Sequence, residues 1–95
     1  MILHLLRSSP FSDHSLSQCL SRIAKQDGIV LIQDAVYALQ GHQQAWYSLL
    51  MQCEQLYVLQ DDLYARGIKA ADAICTIDYP QLVALTLKFD KVMSW

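Results

Sequence analysis

The chain has 95 residues, enough for one domain and too few for two separate cores. Its net charge is −2 with lysines and arginines scattered, which disfavours direct binding of nucleic acid, since that affinity rests on cationic neutralisation of phosphates. Apolar residues make up 54% and charged residues 17%, more apolar side chain than a small domain can hide alone, so burial against another subunit is expected.

Ile2, Leu3, Leu5 and Leu6 form a short apolar run stopped by Arg7-Ser8-Ser9-Pro10, which reads as a first strand and a loop. The run is too short for a secretory signal and lacks a positive leading region. No stretch approaches the length of a membrane span. His4 lies inside the run as a partly buried strand histidine; a metal site needs several ligands, and neither His14, His42 nor any cysteine spacing supplies them. No metal and no other cofactor is expected. The three cysteines are odd in number and unpatterned, which points to a reducing compartment and hence the cytoplasm.

Ser12 and Asp13 are candidate caps for a helix over 14–25. Leu16, Cys19, Leu20, Ile23 and Ala24 recur on one face of it, and Ser17, Gln18, Ser21 and Arg22 on the other. The segment 28–39, GIVLIQDAVYAL, is the centre of the chain. Its β-branched run without polar alternation is that of a strand buried on both faces, as in a parallel sheet covered by helices. Asp34 stands where strand gives way to helix, suited to cap AVYAL. Gln40-Gly41-His42-Gln43 breaks that helix, and a further helical piece over 44–53 carries Ala45, Leu49, Leu50 and Cys53 on one side.

Residues 55–60 read as the third strand and 61–66 as a helix closed by a left-handed Gly67. Val58 to Ala65 echoes Leu31 to Ala38 almost position for position. A fourth strand is expected over 73–77. Asp78-Tyr79-Pro80 then opens a last helix with Leu82, Val83, Leu85, Thr86 and Phe89 on its apolar face. Lys91 to Trp95 adds a short edge strand, with Trp95 docked rather than left in water. The fold class is therefore α/β: a small, open, mostly parallel sheet of four to five strands, with helices on both faces and right-handed crossovers, in one domain over 1–95. Sites in such sheets gather at the carboxyl ends of strands, where Asp34, Asp61 and Asp78 all fall. Helix capping accounts for each of the three. No glycine-rich loop follows any strand, and three carboxylates repel a phosphate, so nucleotide binding is disfavoured.

Four local patterns in order carry a resemblance. Leu3-His4-x-Leu6-x-x-Ser9-Pro10-Phe11 opens the chain, and Leu31-Ile32-Gln33-Asp34-x-Val36 follows. Tyr57-Val58-Leu59-x-x-Asp62-Leu63-x-Ala65-Arg66-Gly67 comes next, then Ile77-Asp78-Tyr79-x-x-x-Val83-x-Leu85-Thr86 and the terminal Trp95. Together they resemble the TusB/DsrH family of sulfur-relay subunits from end to end. Ala35 departs from the glycine expected after the aspartate, which implies no positive φ at that position.

The resemblance implies a DsrE-like subunit within a dimer of heterotrimers built with two sister subunits of the same fold. Such a complex exchanges sulfur with upstream and downstream carrier proteins, and the isolated chain is open to homo-oligomer formation. One branch passes persulfide sulfur towards thiolation of the tRNA wobble uridine; a related branch serves sulfur oxidation. The main acceptor cysteine is placed on a sister subunit, which leaves this chain a mainly structural, docking role and makes it an accessory rather than a catalytic subunit. Some DsrH-like members also carry a first-helix cysteine in a Ser-Leu-x-x-Cys-Leu context, matched by Ser15-Leu16-Ser17-Gln18-Cys19-Leu20. Cys19 is thus the candidate persulfide carrier, although its helical period pairs it with Leu16 and Ile23, where a cysteine packs as a small hydrophobe. Packing is expected for Cys53 and Cys75. An isolated α/β ligand-binding module using the strand carboxyl ends is the unrelated alternative.

Overall fold

The computed structural model describes residues 1–95. Strands β1 (Ile2–Leu6), β2 (Gly28–Leu31), β3 (Gln55–Leu59), β4 (Cys75–Ile77) and β5 (Lys91–Ser94) form one sheet in the order β4-β3-β2-β1-β5. Every pairing is parallel. Between the strands run α1 (Ser15–Arg22), a 3-10 helix (Gln33–Gln40), α2 (Tyr47–Met51), α3 (Gln60–Ala65) and α4 (Tyr79–Lys88). The α/β class and the terminal edge strand expected from the sequence are both present.

Direction of travel decides which face each helix covers. From β1 to β4 the chain steps one strand at a time the same way, so right-handed crossovers lay α1, the 3-10 helix, α2 and α3 on one face. The return from β4 to β5 crosses the whole sheet the other way and puts α4 alone on the second face. The two apolar clusters follow this split. Leu16, Cys19, Val36, Leu39, Leu50 and Leu63 pack on Leu6, Ile29, Leu31 and Val58 on the crowded face. Leu3, Val30, Leu59 and Ile77 meet Phe89 on the other, with Leu82 and Leu85 only partly buried. None of the ten residues of α4 is fully buried.

Several predicted boundaries move, each for a local reason. The first helix ends at Arg22, not 25, because Ile23 turns extended and the Asp27 carboxylate takes the Ala24 N–H at 3.1 Å. The helix after β2 is 3-10: Gln33 takes a φ of 50° and the Ala35 N–H donates to the Ile32 carbonyl at 3.0 Å. Ala35 keeps a negative φ, and the left-handed residue stands two positions earlier at Gln33. The helix expected over 44–53 is reduced to the five residues of α2. The capping roles of Asp34 and Asp61 are corrected, since neither helix start has a side-chain cap. Asp78 does cap α4: its carboxylate accepts from the Gln81 N–H at 2.9 Å while the Gln81 side chain takes the Asp78 N–H at 2.9 Å. Gly67 closes α3 with a φ of 64°, and the Ile68 N–H reaches back to the Leu63 carbonyl at 3.0 Å.

Phe89, 5% exposed, is the anchor of α4, and it rests on Gly28. A Cβ at Gly28 would stand 2.7 Å from the Phe89 ring and 3.3 Å from Leu3. Space, not backbone conformation, requires glycine there. Gly28→Ala is expected to lower the unfolding free energy by about 1–3 kcal/mol, read from urea titration. An unchanged midpoint would show that α4 yields without cost.

Candidate functional site

Sulfur chemistry needs a thiolate, so the three thiols come first. Cys19 lies on the inner face of α1 with no exposed surface, packed in the crowded-face cluster. Burial pushes its thiol up to about 12, with Cys53 and Asp27 adding smaller rises. At neutral pH the group there is the thiol, not the thiolate. Cys53 follows α2, half-buried, with its thiol donating to the Leu49 carbonyl at 3.6 Å, and burial raises its pKa too. Cys75 is exposed, which corrects the buried position expected from its neighbours Ile74 and Thr76. It stands on edge strand β4 beside Tyr57, on the face that only α4 covers. Burial raises Tyr57, with the nearby Cys75 contributing.

At the amino edge of the sheet a buried polar cluster ties three distant segments together. Asp27 accepts from the Ile2 N–H at 2.9 Å and the Ala24 N–H at 3.1 Å, and its second oxygen lies 3.1 Å from Nε2 of His4. Nδ1 of His4 accepts from the Trp95 indole at 3.1 Å. An indole N–H only donates, so Nε2 bears the imidazole proton and points it at Asp27. Burial alone would raise Asp27, but the bonds from His4, Ile2 and Ala24 outweigh it and hold the carboxyl below its ordinary 3.8. His4 is a satisfied core histidine and Trp95 is docked, as the sequence led one to expect. Asp27 was not legible as their partner.

At the carboxyl edge the three predicted aspartates have separate duties. Asp34 takes two bonds from Arg66, at 2.8 and 3.0 Å. Asp62, missed from the sequence, accepts the N–H of the left-handed Gln33 at 2.7 Å and lies 3.6 Å from the same guanidinium. Its i,i+4 spacing to Arg66 was the available signal. Asp78 is spent on capping and Asp61 lies exposed in the first turn of α3. No three His, Cys, Asp or Glu side chains stand close enough to hold a metal ion. A cleft of about 240 Å³ between α1 and α2 has Lys25, Asp27 and Cys53 on its wall. Another of about 410 Å³ lies beside α3 over Gln60, Tyr64, Lys69 and Thr76. Neither is lined by Asp34, Asp61 or Asp78.

What the surface does offer is apolar area. Phe11, Leu49, Tyr64, Tyr79, Val83 and Leu87 are each more than half exposed. Phe11 meets Trp46 edge-on at 6.1 Å, and Tyr47 stacks obliquely on His42 at 4.8 Å. No helix is long and apolar enough to cross a membrane.

The fold makes this a small α/β protein built on one all-parallel sheet, and comparison with known proteins gives the family. Residues 8–92 match the family described as DsrH like protein, and the chain belongs to that family. It is 34% identical over 96 residues to protein TusB of Buchnera aphidicola subsp. Acyrthosiphon pisum, covering 99% of this chain and 100% of that one. Protein TusB of Pectobacterium parmentieri is 33% identical over 96 residues, with the same coverage. The crystal structure of the ychN protein from E. coli shares the fold, with a TM-score of 0.80, 19% identity, and coverage of 99% of this chain and 97% of that one.

Two measurements check this geometry. Under limiting alkylation, mass spectrometry is expected to find Cys75 modified first, Cys53 more slowly, and Cys19 only when denaturant is added; early labelling of Cys19 would mean that α1 lifts readily. Because Asp27 is lowered on folding, its contribution to stability is complete above its unfolded value and is lost as pH falls through the folded one. Asp27→Asn should therefore flatten the loss of stability below about pH 4 and cost about 1–3 kcal/mol at pH 7. A parallel acid limb in the two proteins would contradict the assignment.

Proposed function

We propose that this chain is a docking subunit of a cytoplasmic sulfur-relay complex, one that passes persulfide sulfur towards thiolation of the tRNA wobble uridine. The observation that carries the reading is similarity to TusB proteins over the whole chain at about one third identity. The chain is one member of a dimer of heterotrimers with two sister subunits of its own fold. Upstream and downstream carriers meet it through the complex, and no nucleic acid or membrane is contacted directly.

The thiol positions support an accessory role. In a relay step a thiolate attacks the outer sulfur of a persulfide, a new S–S bond forms, the old one breaks, and the donor leaves as thiolate. That needs an exposed thiol of lowered pKa, whereas Cys19 is enclosed and raised to about 12. The sulfur therefore travels on a sister subunit, and this chain supplies shape and contact area.

The second reading, Cys19 as an active carrier in a sulfur-oxidation complex, is favoured by the Ser15-Leu16-x-x-Cys19-Leu20 pattern. It requires α1 to move off the sheet during turnover. In the reconstituted complex, Cys19→Ser and Cys19→Ala are expected to leave the rate of sulfur transfer unchanged, with the persulfide adduct on a sister chain. Loss of transfer in both variants, with an adduct on this chain in the wild type, would reverse the roles.

A further inference from the structure

We propose that His4 is a proton-operated latch on the last strand: a second proton on its imidazole has to take the nitrogen that now holds the Trp95 indole, and so unseats Trp95. Leu3 belongs to the apolar cluster beneath α4 and Leu6 to the one on the crowded face. His4, two residues before Leu6, therefore turns to the crowded face. There the ring is 3% exposed and both of its nitrogens are engaged. Nε2 donates to Asp27 at 3.1 Å, and Nδ1 accepts from Nε1 of Trp95 at 3.1 Å.

The two bonds answer a proton in opposite ways. A carboxylate accepts from Nε2 whether the imidazole is neutral or charged, so Asp27 keeps its bond, strengthened by the charge. Trp95 cannot keep its own, because an indole N–H only donates and a protonated Nδ1 does the same. Two N–H groups would then face each other at the buried ring with no acceptor between them, which is costly. Turning the ring over brings no relief, since both nitrogens of an imidazolium carry hydrogen.

The elements packed on the ring bring one charge to it. β2 sets Ile29 beside His4, and β5 sets Met93 on the other side. From α1 come Leu16, Cys19 and Leu20, of which only Cys19 titrates, and burial keeps it as the thiol. At the amino edge the Met1 ammonium is paired with Asp90. Lys25 and Glu54 share a cleft wall with Asp27, and neither is bonded to the ring. Burial by itself would raise the Asp27 carboxyl, but its bonds hold it below the ordinary value. It is thus ionised wherever an imidazole titrates.

Much of the hold on β5 passes through Trp95. All four residues of β5 are exposed, and the strand pairs with β1 alone. Trp95 packs on the crowded-face cluster, and its backbone N–H reaches the Leu5 carbonyl at 2.9 Å just past the end of β5. The sign of the effect is fixed by linkage. The indole is held fully while His4 is neutral, and the hold is lost as pH falls through the His4 titration.

The test uses the full chain carrying His14→Gln and His42→Gln, both at exposed positions, which leaves His4 as the one imidazole. Nitrogen NMR spectra at neutral pH are expected to show the ring hydrogen on Nε2. On acidification, solvent exchange of the Trp95 indole should quicken relative to that of Trp46, with the midpoint of the His4 titration. Trp95→Phe keeps an aromatic ring and removes the N–H. It should move that titration to higher pH by about half a unit to one unit, roughly three- to tenfold in proton affinity. His4→Gln should leave the ratio of the two indole exchange rates flat with pH. A hydrogen on Nδ1 at neutral pH, an exchange ratio that ignores the His4 titration, or an unmoved titration in Trp95→Phe overturns the latch. The wild-type exchange ratio decides the matter even where a variant fails to fold, and none of these outcomes bears on which complex the chain joins.

Discussion

A parallel sheet has two apolar faces, and each needs a cover that the chain must supply or borrow. Here the order β4-β3-β2-β1-β5 assigns four helical segments to one face and a single ten-residue helix to the other. Five strands at about 4.8 Å spacing span roughly 19 Å between the outermost axes, and one helix is about 10 Å across. The second face is therefore left partly open, with Leu5, Ile32 and Tyr57 only half covered. The exposed Cys75, the unburied α4 and the apolar composition all follow from this one imbalance.

That imbalance also divides the labour among the thiols. On the crowded face, packing that stabilises the sheet encloses Cys19 and raises its pKa, which makes it inert. On the open face Cys75 is accessible at the edge of the sheet. The enclosed first-helix thiol and the accessible thiol are thus different residues on opposite faces of the sheet.

Two long-range ties hold the frame in place. Asp27, His4 and Trp95 join the amino edge of β1, the end of α1 and the last residue of the chain through one buried and two part-buried hydrogen bonds. Arg66 joins the 3-10 helix to α3 through Asp34 and Asp62, beside the left-handed Gln33. Both ties lie at the ends of strands, where the apolar clusters give out. The first centres on the buried His4–Asp27 pair and is costly to break; the second is largely exposed and contributes less to stability than to fixing the direction of the chain after β2.

Read without coordinates, the residues already determined the α/β class, a sheet of four to five strands, the helix cap at Asp78, the left-handed Gly67 and the docking of Trp95. All of these depend on periodicity, turn chemistry or the cost of leaving an indole in water, and such information lies within a few residues of where it acts. The endpoints of α1 and the 3-10 character of the segment after Gln33 were not legible, because Asp27 and Asp62 impose them from elsewhere. Nor was the duty of Asp34: a capping position and an ion-pair partner look alike until Arg66, 32 residues away, is placed beside it. The exposure of Cys75 was settled by strand order, since the same short apolar context is buried at the centre of a sheet and open at its edge, whereas the helical period of α1 had already set Cys19 beside the buried Leu16.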